Sequence, residues 1–288
     1  MDAVTLDNGV ITATIKARGA ELSSLRNARG EEVLWQAGPE WPRHAPILFP
    51  IVGRLKGDVL RHNGKSYPMT QHGFARDSRF NWEEQGVDAC SLALQDSAAT
   101  RLKYPFSFKL RASFALEGTT LVVGTTISNT GDVMLPASIG AHPAFQWPLS
   151  GATEDAIHRI TFAEPEPAPV RRLSGGLLMA EHTPSPVVGR ELVLTKSLFD
   201  ADALILDQVA STSLRYEAPG AGAIDIAWQG FRELGIWSAQ KGARFVCIEP
   251  WYGFASPEDF DGEFSDKPGV MQIGIGEHCS FTQRISLG

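Results

Sequence analysis

Apolar and polar residues alternate along much of this chain, and a period of two is the repeat of a β-strand, not of a helix. Val4 and Leu6, then Ile11, Ala13 and Ile15, flank Asn8-Gly9 in this way. Asn-Gly between alternating segments is the strongest short hairpin signal. Asn63-Gly64 joins Val59-Leu60 to Ser66-Tyr67 in the same manner. Phe106, Phe108, Leu110, Ala112, Phe114 and Leu116 form a long alternating run. Glu117-Gly118 turns it into Leu121, Val123, Thr125 and Ile127, and Asn129-Thr130-Gly131 turns the chain again. Helical spacing with caps at both ends is missing from every long window. Glu21–Arg26 and 197–201 read as single helical turns at most. The pattern predicts an all-β fold, a large antiparallel β-sandwich with few short helices. Residues 163–190, rich in Pro and Gly, read as a long surface excursion and not as a linker. Candidate site residues fall on both sides of it, so 1–288 is expected to be a single domain.

The chain is 43% hydrophobic and 20% charged, which is enough apolar material for a sizeable core. Its net charge of −7, with no Lys/Arg stripe, argues against a nucleic-acid partner. Cys90, Cys247 and Cys279 are scattered and form no CxxC, so neither a zinc knuckle nor a disulfide framework is supported. Cys247, within Phe245-Val246-Cys247-Ile248, reads as a buried small hydrophobe, and reduced thiols fit the cytoplasm. Met1-Asp2-Ala3 opens no secretory signal. The longest apolar stretch, from Ala45 to Val52, falls far short of the ~20 residues that span a bilayer. A soluble, cytoplasmic protein without a membrane partner is expected. GxSxG, P-loop, GxGxxG and HExxH motifs are all missing, so nucleotide cofactors and serine-nucleophile chemistry have no support. No short HxH or HxxxE spacing supports a metal, and neither cofactor nor metal is expected.

Three segments place a titratable side chain among apolar neighbours and beside Gly or Pro. They are Gln71-His72-Gly73-Phe74-Ala75-Arg76, Gly140-Ala141-His142-Pro143-Ala144-Phe145 and Cys247-Ile248-Glu249-Pro250-Trp251. Burying an ionisable group costs several kcal/mol unless it is paired or used. His142 ends an apolar strand, and Pro143 stops ladder pairing there. Glu249 ends a core-like strand, where glutamate is disfavoured, and needs a partner or a task. Two histidines and a glutamate in such settings suggest proton transfer. The alternatives are hydrogen-bonded structural histidines, and a salt bridge from Glu249 to Arg54 or Arg76. Those arginines could equally donate to substrate hydroxyls or phosphate. Asp202 is a possible second carboxylate or a cap, with Asp200 and Asp207 close by. Trp237, Trp251, Phe145 and Trp147 could form a flat wall for a sugar ring, or simply core. His44 begins the apolar run at Ala45, whereas His62, His158, His182 and His278 read as surface residues.

Together with Ala45-Pro46-Ile47-Leu48-Phe49-Pro50 and Val52-Gly53-Arg54, these segments resemble the aldose 1-epimerase (galactose mutarotase-like) family, almost end to end. The resemblance implies a β-sandwich of the galactose mutarotase-like supersandwich type, whose concave face binds a hexose and interconverts its α and β anomers. It implies Glu249 as the base at the C1 hydroxyl, His142 as the acid at the ring oxygen and His72 as a hydrogen-bonding group. By the same resemblance Arg54 and Asp202 would meet the sugar hydroxyls, with Trp237 of the aromatic wall as a further candidate contact from the residue pattern. The His-Gly-Phe-Ala-Arg form of the first motif leans toward the branch near the hexose-6-phosphate epimerases, with Arg76 and Arg54 as phosphate ligands. Rival readings are a metal enzyme built on His44, His72, His142 and Glu249, a non-catalytic carbohydrate-binding protein, and a glycosidase using Glu249 and Asp202.

Overall fold

A computed structural model describes residues 1–239 and 242–288. In the strand Phe108–Glu117 every second residue from Phe108 to Leu116 is buried. A tight turn returns it as Thr120–Asn129, with Thr120 opposite Glu117 and Asn129 opposite Phe108. These two strands sit within a nine-stranded antiparallel sheet. Its order is Glu191–Val193, Arg159–Phe162, Ser213–Glu217, Ile224–Gln229, His278–Leu287, Thr120–Asn129, Phe108–Glu117, Ala89–Gln95 and Asn81–Gln85.

A second antiparallel sheet runs Leu177–Thr183, Val170–Ser174, Leu204–Leu206, Glu233–Trp237, Phe245–Tyr252, Ile139–Ala141 and Ile47–Leu48. Ala144–Gln146 also pairs with Phe245–Tyr252. Leu110, Phe114, Leu121 and Ile285 of the first sheet share one buried cluster with Leu234, Ile236, Val246 and Ile248 of the second. The sheets therefore pack face to face as a sandwich. Each such side chain contributes ~1.5–3 kcal/mol when fully buried. Both Asn-Gly hairpins form, Ala3–Asp7 with Thr12–Lys16 and Val59–His62 with Lys65–Pro68.

Two expectations are corrected. Glu21–Arg26 is a strand paired with Thr12–Lys16, not a helical turn. A register shift between Thr14 and Ile15 places Leu22 and Leu25 on one buried face, three apart, which imitates helical spacing. Residues 163–190 are more than a surface excursion. Val170–Ser174 and Leu177–Thr183 pair around Gly175-Gly176 and form the edge of the second sheet. The turn expected at 197–201 is the 3₁₀ helix Lys196–Phe199. Among the described residues no helix is long and apolar enough to cross a membrane.

Candidate functional site

Alternation along Phe245–Tyr252 decides which groups meet. Val246 and Ile248 enter the core between the sheets. Phe245 and Cys247, and then Trp251, pack on the opposite side, so strand parity puts Glu249 there too. Glu249 pairs across the ladder with Gly235. A Cβ on Gly235 would lie 2.3 Å from the Trp251 ring, so the missing side chain is what leaves room for the indole.

On the other edge of the same strand, Gly140 pairs with Trp251 and Ala144 pairs with Cys247. Between those two anchors the chain leaves the ladder at His142-Pro143, where proline has no N–H to donate. The common register brings His142 opposite Glu249. Its Nε2 lies 3.2 Å from Glu249 Oε2, with Glu249 only 1% exposed and His142 buried. The approach is close but not an aligned hydrogen bond. Glu249 Oε2 and His142 Nδ1 have no hydrogen-bond partner among the described residues.

His72 arrives from a different loop. Its backbone is left-handed, with φ of 64°, an unusual conformation for a side-chain-bearing residue. Gly73 follows at φ of 71°, and a Cβ there would meet the Phe49 carbonyl oxygen at 2.2 Å. The His72 N–H donates to the Gly53 carbonyl at 2.7 Å, and the Gly53 N–H donates to His72 Nδ1 at 3.1 Å. With Nδ1 accepting, the neutral ring carries its proton on Nε2. The His72 and His142 rings lie 5.5 Å apart, edge to face.

These groups line a cavity of about 310 Å³ with Trp41, Gln71, Arg76, Asp202, Trp237 and Trp251. Val52, Leu173, Ala203 and Ile205 complete an apolar side. Trp41 stacks on His142 with centroids 4.8 Å apart, and Trp237 meets the same ring edge-on. Glu249, His142, His72, Arg76, Asp202 and Trp237 are thus brought together. Arg54 is not on the cavity wall. It forms a two-point ion pair with Asp58, both distances 2.6 Å, and reaches the Gly175 carbonyl. Of the three neighbouring aspartates, Asp202 is the one on the wall. Asp207 pairs instead with Arg171 at 3.4 Å.

Burial drives the electrostatics. It pushes the Glu249 carboxyl well above the ordinary range, and the Asp202 charge adds to the rise. Burial also lowers His142 to about 3, helped by the positive charges of Arg76 and Arg43. His72 is held well below the usual histidine value by burial, then by His142, Arg76 and Arg43. Arg76 itself falls to about 10 through burial and the Arg43 charge. Burial thus disfavours the charged form of both partners, raising the Glu249 carboxyl and lowering the His142 imidazole.

The expected aromatic wall is half right. Trp237 and Trp251 line the cavity, whereas Phe145 is core and Trp147 packs on Phe199 and His158. His158 is not a surface residue. It is buried, accepting from the Leu149 N–H at 3.0 Å and bonding the Ala156 carbonyl. His44 lies off the cavity, its N–H donating to Glu21. Trp41, Gln71 and Arg43 are the contributors that the sequence did not single out. Trp41 and Arg43 lie in a loop without periodicity, and their only signal is proximity to the Ala45 apolar run.

The profile of the aldose 1-epimerase family matches residues 2–270. The chromosomal LacX protein of Lactococcus lactis subsp. lactis is 31% identical over 282 residues, covering 94% of each chain. Among solved structures, a galactose mutarotase related enzyme from Lactobacillus acidophilus superposes with a TM-score of 0.90. It is 31% identical and covers 99% of this chain and 97% of its own. A galactose mutarotase-like protein from Lactobacillus casei ATCC 334 gives 0.92 at 30% identity, covering 99% and 100%.

Proposed function

This chain belongs to the aldose 1-epimerase family, and from that premise we propose that it is an isomerase interconverting the α and β anomers of a hexose. The observation that carries the reading is the buried His142–Glu249 contact of 3.2 Å on the wall of a sugar-sized cavity. Glu249, as carboxylate, takes the proton from the C1 hydroxyl while His142, as imidazolium, gives one to the ring oxygen. The C1–O5 bond breaks as the C1 carbonyl forms. Rotation about C1–C2 and the reverse transfers close the other anomer.

The pair carries one proton at both ends of this step, on His142 before and on Glu249 after. No net proton is exchanged with water. Burial favours the second arrangement, so the resting pair already holds its proton where ring opening leaves it. Sugar hydroxyls entering the cavity supply the hydrogen bonds that make the charged arrangement accessible. His72, a neutral Nε2–H donor, steadies charge on a sugar oxygen. Trp237 and Trp251 offer their faces to the ring, and Arg76 and Asp202 meet its hydroxyls. Two positioned proton-transfer groups at ~10²–10⁴-fold each lower the barrier by ~5–11 kcal/mol.

Arg76, half-buried on the cavity wall with its Nε lacking a hydrogen-bond partner among the described residues and only a 3.9 Å ion pair to Asp77, favours a second reading in which the hexose carries a 6-phosphate. The whole chain 1–288 is taken as one working unit, because wall residues run from Trp41 to Ala255. The partner is a small-molecule sugar. Free thiols at Cys90, Cys247 and Cys279 fit a cytoplasmic setting. Polarimetry of freshly dissolved α-hexoses and their 6-phosphates tests the reading. Accelerated relaxation of the optical rotation supports it, and no acceleration across the panel overturns it.

A further inference from the structure

Cys247 has no part in the proton transfers above, yet it completes a donor set. A nitrogen of His142, the sulfur of Cys247 and a carboxylate oxygen of Glu249 all lie within 4.8 Å of one another, and all three residues are buried. Cys247 and Glu249 are two apart on one face of Phe245–Tyr252, and the register of the flanking strands sets His142 across from them. One of the ligating atoms, Glu249 Oε2, is buried without a hydrogen-bond partner among the described residues.

We propose that His142, Cys247 and Glu249 form a binding site for a thiophilic divalent cation such as zinc or cadmium, and that occupancy blocks the cavity's chemistry. Two ligands at ~2.0–2.1 Å on a tetrahedral zinc stand ~3.3 Å apart, close to the 3.2 Å between His142 Nε2 and Glu249 Oε2. The sulfur needs a longer bond of ~2.3 Å, so it has to close part of its present separation. Charge also balances. The thiol and the carboxylic acid each release a proton to solvent as the cation binds, and the thiolate and carboxylate then neutralise its two positive charges around a neutral imidazole. Nothing is oxidised or reduced. A thiolate ligand selects zinc or cadmium over magnesium and calcium. His142 and Glu249 line the cavity, so the cation enters by the route taken by the sugar. The binding claim stands on the donor geometry alone. The inhibition claim rests on the mutarotase reading, since His142 and Glu249 cannot carry protons while they ligate a metal.

The test uses full-length protein carrying Cys90→Ser and Cys279→Ser, which leaves Cys247 as the single thiol. Cadmium titration is followed by the ultraviolet thiolate-to-cadmium absorption band, and mutarotation by polarimetry. The expected result is one cadmium per chain, with the rate falling in step with the band and magnesium having no effect. Losing a partner that merely orients a ligand weakens metal binding ~10–100-fold. Replacing the ligand itself, Cys247→Ala, should cost at least about 100-fold in cadmium affinity and in sensitivity to inhibition, with turnover in metal-free buffer retained. Cys247→Ser keeps the side-chain shape with an oxygen in place of the sulfur and serves if the alanine variant misfolds. Cadmium affinity unchanged by either replacement, or activation by cadmium, overturns the proposal. Cys247-dependent binding in a protein without mutarotase activity refutes the functional reading and leaves the site standing. Normal mutarotation without Cys247-dependent binding does the reverse.

Discussion

Glu249→Gln has opposite expected effects on turnover and on stability, and together they test the assignment more sharply than either does alone. The amide keeps the shape of the side chain and retains N–H groups that can face His142, but it cannot accept the C1 hydroxyl proton. One positioned proton acceptor is worth ~10²–10⁴-fold, or ~3–5 kcal/mol of transition-state stabilisation. The kcat for mutarotation should fall by that factor, while sugar binding, read by tryptophan fluorescence from Trp237 and Trp251, is largely kept. Stability should move the other way. The folded protein holds the Glu249 proton to a pH well above the ordinary 4.5 because burial disfavours the anion. As pH rises past 4.5 the unfolded chain releases a proton that the folded chain retains. Folding therefore loses about 1 kcal/mol per pH unit until the buried carboxyl also ionises. Glutamine removes that loss. Urea denaturation should show the variant gaining on the parent as the pH rises above 4.5. Near-normal turnover would refute the role given to Glu249. A variant less stable at pH 8 than at pH 5, relative to the parent, would refute the buried-acid account.

The pH dependence of catalysis should be a plateau through neutrality with no inflection near the usual histidine value. His142 takes a second proton only near pH 3 and His72 also titrates well below its ordinary value, so the acid limb lies far from 7. The alkaline limb reports loss of the pair's last proton and belongs to both residues together; a rate that halves near pH 6.5 would count against the scheme. Arg76→Ala should raise KM at least about tenfold by removing a charge-assisted donor from the cavity wall. Arg54→Ala breaks an exposed ion pair with Asp58 and a hydrogen bond to the Gly175 carbonyl, both off the cavity wall, and should change KM less than about fivefold. The reverse order would restore Arg54 as the sugar ligand. Gly73→Ala forces a Cβ to within 2.2 Å of the Phe49 carbonyl oxygen at positive φ, and should cost about 2 kcal/mol or more in denaturant unfolding. An unchanged midpoint would mean that the loop carrying His72 is not packed as described.

The sandwich was legible because its strands are half-buried, and half-burial writes a period of two directly into residues such as Phe108, Leu110, Ala112 and Phe114. That rule failed where the ladder itself is irregular, at the register shift that gave Glu21–Arg26 a helical spacing. Glu249 and His142 were legible one at a time, as a carboxylate in an apolar strand and an imidazole before a ladder-breaking proline. His158 shows the limit of the same logic. Its neighbours Glu154, Asp155 and His158 itself look polar, yet the ring is buried because both its nitrogens find local partners at Leu149 and Ala156. Titratable residues in apolar surroundings stand out in a sequence, whereas a satisfied buried histidine among polar neighbours does not.

The pairing of His142 with Glu249 is a property of neither residue. It follows from strand order, since only a register that joins Gly140 to Trp251 and Ala144 to Cys247 on one strand leaves His142 facing Glu249. A slip of one residue would turn the glutamate into the core and Ile248 toward the cavity. The hydrophobic demand that Val246 and Ile248 face the other sheet thus fixes the proton-transfer geometry as well. The electrostatics are also collective. Arg76, in the 3₁₀ helix Ala75–Asp77, and Arg43, in a separate loop, both lower His142, while burial raises Glu249. A core mutation that loosens this register, far from any sugar, should therefore damage turnover as surely as removing the carboxylate.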